Sequence, residues 1–236
     1  MLKTKPNEIA NQPQAPHETS AAVRAPRRGL WQEWLRSLLL FCGASVYVEL
    51  CLHLCVYRSL DRRAVYLVLF GLLGGTVCTL LTTHLPKIAR QIVGVLLVAV
   101  QVLFAEVQLV YQAIFGNFMP INEISMGGNV VTNFASQILY SIGRNLSTIL
   151  LLLIPLPVTI LCLALRKPGA LKRRLRWRQA LASAGVFLGL LVITASLMLS
   201  GRNKPLSVYH TFCNVNISTD SSYKKVGMLA TTAQEL

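Results

Sequence analysis

Two carboxylates stand inside long apolar runs, Glu49 and Glu106, and any chemistry buried in this chain would have to start from them. A charged side chain at the bilayer centre costs about 2.5 kcal/mol or more on insertion scales, so each should face the interior of a helix bundle. His53 follows Glu49 by four residues and falls on the same helical face. Glu106 has Gln108 and Tyr111 nearby, Gln101 five residues before it and Gln112 six after. Each admits two readings: a polar pocket that receives a headgroup or a proton, or ordinary interhelical hydrogen bonding. For Glu49 the second reading includes hydration from a nearby membrane surface.

No other grouping suggests catalysis. The nine carboxylates are spread along the chain without a cluster, whereas divalent-metal hydrolases and transferases need convergent Asp, Glu and His. The sequence has no G-x-S-x-G, Walker, Cys-x-x-Cys or His-Glu-x-x-His motif. No catalytic residue, metal ligand or cofactor is therefore expected within it. Five of the six cysteines (Cys42, Cys51, Cys55, Cys78 and Cys162) lie in apolar runs, where cysteine serves as a small hydrophobe. Cys213 stands alone, so no disulfide framework is indicated.

The elements that would carry these residues follow from hydropathy. Of 236 residues, 53% are hydrophobic and 14% charged, with a mean hydropathy of +0.53; a soluble domain has about 25% charged residues. Residues 1–36 read as a basic cytoplasmic tail, proline-containing and without apolar periodicity up to residue 30. Five apolar runs follow, at 37–57, 64–83, 91–115, 146–165 and 180–200, each long enough to cross about 30 Å of hydrocarbon. Trp31 and Trp34 precede the first as an interfacial belt. Gly71, Gly74 and Gly75 in the second permit close helix approach, and Pro155 and Pro157 should kink the fourth. Residues 201–236 are polar and read as an external linker. The fold class is an all-α membrane protein with five transmembrane helices.

The net charge of +14 reflects orientation rather than nucleic-acid binding, because the basic residues sit in short clusters between apolar runs. With the N-terminus inside, fifteen of the 23 Lys and Arg fall on the inner side. Seven of them crowd the single loop Arg166–Arg178, which is hard to translocate and could also meet anionic headgroups. The expected topology is N-in, C-out, in the cell membrane.

Between the third and fourth runs lies a long segment, 116–145, of intermediate polarity. Val131, Phe134, Ile138 and Ile142 recur at helical spacing with Thr132, Asn133, Ser136, Gln137 and Tyr140 on other faces. This spacing predicts a short amphipathic helix in the outer interface, entered through a Gly127-Gly128 turn. Such a helix would be either a platform for a lipid-linked substrate or a connector that shields the helix ends. Asn145-Leu-Ser and Asn216-Ile-Ser match the short glycosylation pattern, which occurs often by chance.

The run Val107-Gln-Leu-Val-Tyr-Gln-Ala-Ile-Phe-Gly116, followed by Asn117-Phe-Met-Pro-Ile, resembles the end of the third span in the lipoteichoic acid synthase family. These are membrane-anchored phosphoglycerol transferases with a sulfatase-like outer domain. The stretch Tyr223–Leu236 resembles that family's linker. The resemblance implies a five-span N-in, C-out membrane portion that anchors an outer catalytic domain and presents a glycolipid or phosphatidylglycerol to it. The divalent-metal ligands and nucleophilic Thr of that domain have no matching positions here, and Thr231 and Thr232 fall in the linker. The residues expected to form the lipid site are Glu106, Tyr111, Phe115 and Gly116, with Phe134 and Tyr140 on the platform. The alternative is a small transporter or membrane interaction protein using Glu49 and Glu106, although five spans without an internal repeat differ from common transporter designs.

Overall fold

The protein is described by a computed structural model covering residues 26–60, 64–120, 133–165, 173–202, 207–213 and 219–235. Residues 1–25 of the expected basic tail, the Gly127-Gly128 turn, Val131, Thr132, most of the basic loop (166–172) and Asn216 lie outside the described residues. All regular structure among the described residues is helical: α1 Pro26–Tyr57, α2 Ala64–Thr83, α3 Lys87–Phe115, α4 Ala135–Arg144, α5 Leu146–Leu153, α6 Pro155–Ala164, α7 Arg173–Ser200, α8 Val208–Cys213, α9 Thr219–Val226 and α10 Met228–Glu235. Five stretches, Trp31–Tyr57, Ala64–Thr83, Ile88–Phe115, Leu146–Ala164 and Trp177–Ser200, are long and apolar enough to cross a membrane. The chain has the architecture of a multi-pass membrane protein.

Three helices begin earlier than their apolar runs. α1 starts at Pro26 rather than residue 37, α3 at Lys87 rather than 91, and α7 at Arg173 rather than 180. Charged side chains that end a hydrophobic run do not end a helix, since Arg and Lys are good helix formers and remain solvated beyond the hydrocarbon. The Arg90 guanidinium turns back at 3.4 Å to the carbonyls of Thr83 and Leu85, a cation at the C-terminus of α2.

α1 and α2 form the tightest pair, and the second-span glycines account for it. A Cβ on Gly75 would meet the Cys42 Cα at 2.3 Å, and one on Gly71 would meet the Val46 Cα at 2.9 Å. Gly71 and Gly75 stand four apart and form the small-xxx-small stripe that lets two backbones touch. The core lies between α1 and α3, with Phe41, Val48 and Leu52 against Val98, Val102 and Leu109, closed by Leu152 of α5. α7 packs mainly on α2 and leaves Leu181, Leu188, Val192 and Ile193 exposed.

The regular helix of the fourth span is interrupted at Ile154, next to the first of its two prolines. Pro155 has no N–H, so the Leu151 carbonyl loses its i+4 donor. It accepts instead from the Ile154 N–H at 3.3 Å and from the Tyr47 hydroxyl of α1 at 3.1 Å. A neighbouring side chain thus satisfies a carbonyl that hydrocarbon would leave bare.

Residues 201–236, expected as an exposed linker, are arranged differently where they are described. α9 and α10 form a helical hairpin about Gly227, whose φ of 92° is a conformation suited to glycine. Tyr223, Val226, Met228 and Ala230 are buried against the spans. This tail docks because its apolar side chains enter the bundle: Tyr223 stacks on Phe118 near the Tyr57 end, and Leu229 reaches Gly74 midway along α2.

Candidate functional site

α3 ends at Gly116, which takes φ 74° and returns its N–H to the Gln112 carbonyl at 2.9 Å, a left-handed C-terminal cap. The chain that follows is held by Gln108. Its side-chain amide donates to the Met119 carbonyl and accepts from the Met119 N–H, both at 2.9 Å, much as a neighbouring strand would. This pins Phe118 inward, where its ring stacks on Tyr223 at 4.1 Å with the planes 2° apart. α4 then runs alongside the end of α3.

The expected lipid-site residues divide into three groups. Tyr111, Phe115 and Phe134 come together: the Tyr111 and Phe115 rings are 4.5 Å apart, and Phe115 meets Phe134 edge-on at 5.3 Å. Gly116 is the helix cap beside them, with open space about it. Tyr140 lies apart from this cluster, on the wall of a polar pocket of about 650 Å³ between the ends of α1 and α3 and the helix pair α4–α5. Glu106 joins neither group. Its Oε1 is buried without a hydrogen-bond partner, seven residues before Ala113 of the pocket wall.

Among the cavities formed by the described residues, this pocket has the most polar wall. Its wall is made of Arg58, Gln112, Ser136, Gln137, Tyr140, Ser141, Arg144 and Asn145, with Ala113 and Ile114 of α3. Two arginines and several amide- and hydroxyl-bearing residues line it, and no carboxylate residue does. Such a lining suits an anion with several acceptor oxygens. Arg58 is the one described non-glycine residue with positive φ, at 50°. It occupies the position just past α1, its N–H bonded to the Leu54 carbonyl at 3.0 Å, where glycine is the usual choice. Arg144 closes the last turn of α4.

Sequence reasoning set Tyr140 on the expected platform and missed the arginines, which are two of the eight Lys and Arg outside the inner count; that common side was the only signal linking them. The aromatic trio beside the pocket gives an amphipathic rim where apolar helix meets polar wall, the setting in which Tyr and Phe commonly lie in membranes.

Glu49 follows the second reading given for it, interhelical hydrogen bonding, with a backbone partner far along the chain. It is buried, and its Oε2 accepts the Met228 N–H at 2.9 Å while Oε1 accepts the Leu229 N–H at 2.5 Å. An acidic side chain of the first span thereby caps the N-terminus of α10, a position favourable for negative charge. A Cβ on Gly227 would stand 2.8 Å from Glu49 Oε2, so the turn needs glycine for space as well as for φ. His53, Tyr57, Phe118 and Tyr223 seal the surroundings, leaving a residual space of about 10 Å³. Among the described residues no group of three or more His, Cys, Asp or Glu could hold a metal ion. No family model, curated protein or solved structure matches the chain, and its function is read from the site alone.

Proposed function

We propose that this chain is a membrane-embedded module that seats an anionic lipid headgroup at the Tyr57 end of the bundle, for a cell-envelope enzyme of the lipoteichoic acid synthase type. The observation that carries the reading is the Arg58–Arg144 pocket set beside the Tyr111, Phe115 and Phe134 rings. With the N-terminus inside, as the basic loop 166–178 favours, this pocket opens at the outer leaflet, and α4 lies in the interface as its platform. A phosphate of phosphatidylglycerol or of a glycolipid would lie between the guanidinium groups, with its glycerol or sugar hydroxyls toward Gln112, Gln137 and Tyr140. The module contributes proximity: it holds the lipid where a sulfatase-like domain, bringing its own divalent metal and nucleophile, could reach it.

The test uses the full chain in phosphatidylcholine nanodiscs containing a minor fraction of fluorescent phosphatidylglycerol. Energy transfer from a donor dye on the chain reports enrichment. Replacing both arginines, Arg58→Ala with Arg144→Ala, should reduce enrichment by roughly tenfold, since a hydrogen bond to a charged group contributes about 1.5–3 kcal/mol. Enrichment that survives the double substitution would remove the reading. A proton-coupled transporter is less well supported, because Glu49 is engaged by the α10 backbone and leaves Glu106 without a second carboxylate along a path.

A further inference from the structure

A second cavity lies at a different depth and has a different chemistry. α7 leans on α2 while α3 leans on α1 and α6, and a slot of about 730 Å³ remains between α3 and α7. Its sides include Phe70, Val77, Val100, Phe104 and Leu191, and α10 supplies a further wall through Met228, Leu229, Thr232 and Ala233. That wall is set from a distance. Glu49 grips the first amides of α10, and Leu229 then rests on Gly74, where a Cβ would come within 2.7 Å of its Cδ1.

The position of the slot decides what can fill it. Val100 and Phe104 sit midway along the span Ile88–Phe115, and Val77 and Leu191 are similarly deep in theirs, so the slot is at hydrocarbon depth. Water is a poor occupant because it needs two to four polar partners, and Gln101 and Thr232 are the polar side chains in the lining. The Gln101 carbonyl oxygen already accepts from Ser45 at 3.0 Å, and the two polar atoms left without partners, Gln101 Nε2 and Thr232 Oγ1, suffice for one water and not for a slot of this size. An empty slot would forfeit the dispersion contacts of every lining atom. Its volume lies within the range of about 300–1,000 Å³ typical of ligand sites. We infer that this slot holds one acyl chain of a bilayer lipid as a resident ligand, against a wall built by the Glu49-anchored C-terminal helix.

The full chain is placed in nanodiscs of phosphatidylcholine whose tails carry a terminal diazirine, irradiated, and mapped by peptide mass spectrometry. Val100, Phe104 and Leu229 should be labelled about tenfold more than Val192 and Ile193, which face outward on α7; that ratio corresponds to about 1.4 kcal/mol. Val100→Trp, at a rim position 57% exposed, should fill the mouth and bring slot labelling down to the level of Val192. Leu191→Trp on the opposite wall should do the same, so a folding defect in one variant does not decide the result. Native mass spectrometry should find one phospholipid retained per wild-type chain in mild detergent and none in either variant. Slot labelling equal to that of Val192, or unchanged in both tryptophan variants, overturns the inference. So does a lipid-free dimer, which would mean that a second copy fills the slot.

Discussion

Glu49 directs both carboxylate oxygens to the first two amides of α10, across 179 and 180 residues of sequence. Glu49→Ala should leave both donors without an acceptor and cost about 1–3 kcal/mol. Glu49→Gln keeps one carbonyl acceptor and should cost less. Trypsin cutting after Lys224 and Lys225 in detergent reads the difference, and cleavage should be fastest in the alanine variant. Identical protection in all three proteins would show that the cap does not hold the hairpin. Tyr47 is a second case of a side chain repairing backbone. Tyr47→Phe should lower thermal stability by about 0.6 kcal/mol, the average for an interhelical hydrogen bond in a membrane protein, because the Leu151 carbonyl released by Pro155 loses its outside donor. No loss in a melting experiment would mean that the Ile154 N–H suffices.

Among the elements, α1 and α2 owe their closeness to two glycines, while α7 has glycines with nothing near them. A Cβ at Gly185 or Gly189 would meet open space, against 2.3 Å to the Cys42 backbone at Gly75. Gly75→Val should therefore cost about 1–3 kcal/mol by overpacking, and Gly185→Val should be tolerated in the same detergent melt. Equal effects would mean that the α1–α2 contact is not set by that stripe. The α9–α10 hairpin has its own sensitivity. Burial pushes the Tyr223 phenol well up from its ordinary value. A tyrosine in an undocked hairpin titrates near about 10. The folded value is the higher one, so this contribution is complete below that pH and is lost as pH rises above it. Proteolysis after Lys224 and Lys225 should accelerate above about pH 10, and Tyr223→Phe should blunt that rise. An unchanged pH profile in the variant would assign the effect elsewhere.

At the scale of the whole molecule, the five spans were legible because each apolar run exceeds the length hydrocarbon demands. Their starts were not, since a helix continues through Arg173 and Arg174, arginine being a good helix former. The docked tail was hidden for a different reason. Its apolar residues Tyr223, Val226, Met228, Leu229 and Ala230 form no run long enough to read as a span, and its anchor is a carboxylate in the first helix, which no local pattern signals. The candidate site was partly legible: the resemblance at the end of the third span pointed to Tyr111 and Phe115 and helical spacing to Phe134, whereas Arg58 and Arg144 fell among the charges left outside the inner count. Topology itself has a direct check. A reporter active only outside the cytoplasm, fused after residue 235, should be active and its N-terminal counterpart silent; the reverse pattern would place the polar pocket on the inner leaflet.

The Glu49 cap also sets an order of events during synthesis. The first span enters the membrane carrying a carboxylate whose partners, the amides of Met228 and Leu229, have yet to be made. At roughly 5–20 residues per second the ribosome needs about ten to forty seconds to reach them. Through that interval the nascent chain holds an unmatched acid in its first helix, and only arrival of the last helix resolves it. A chain interrupted before residue 228 would keep that acid exposed to the machinery that retains or degrades unfinished membrane proteins, so synthesis through Leu229 and burial of Glu49 become one event.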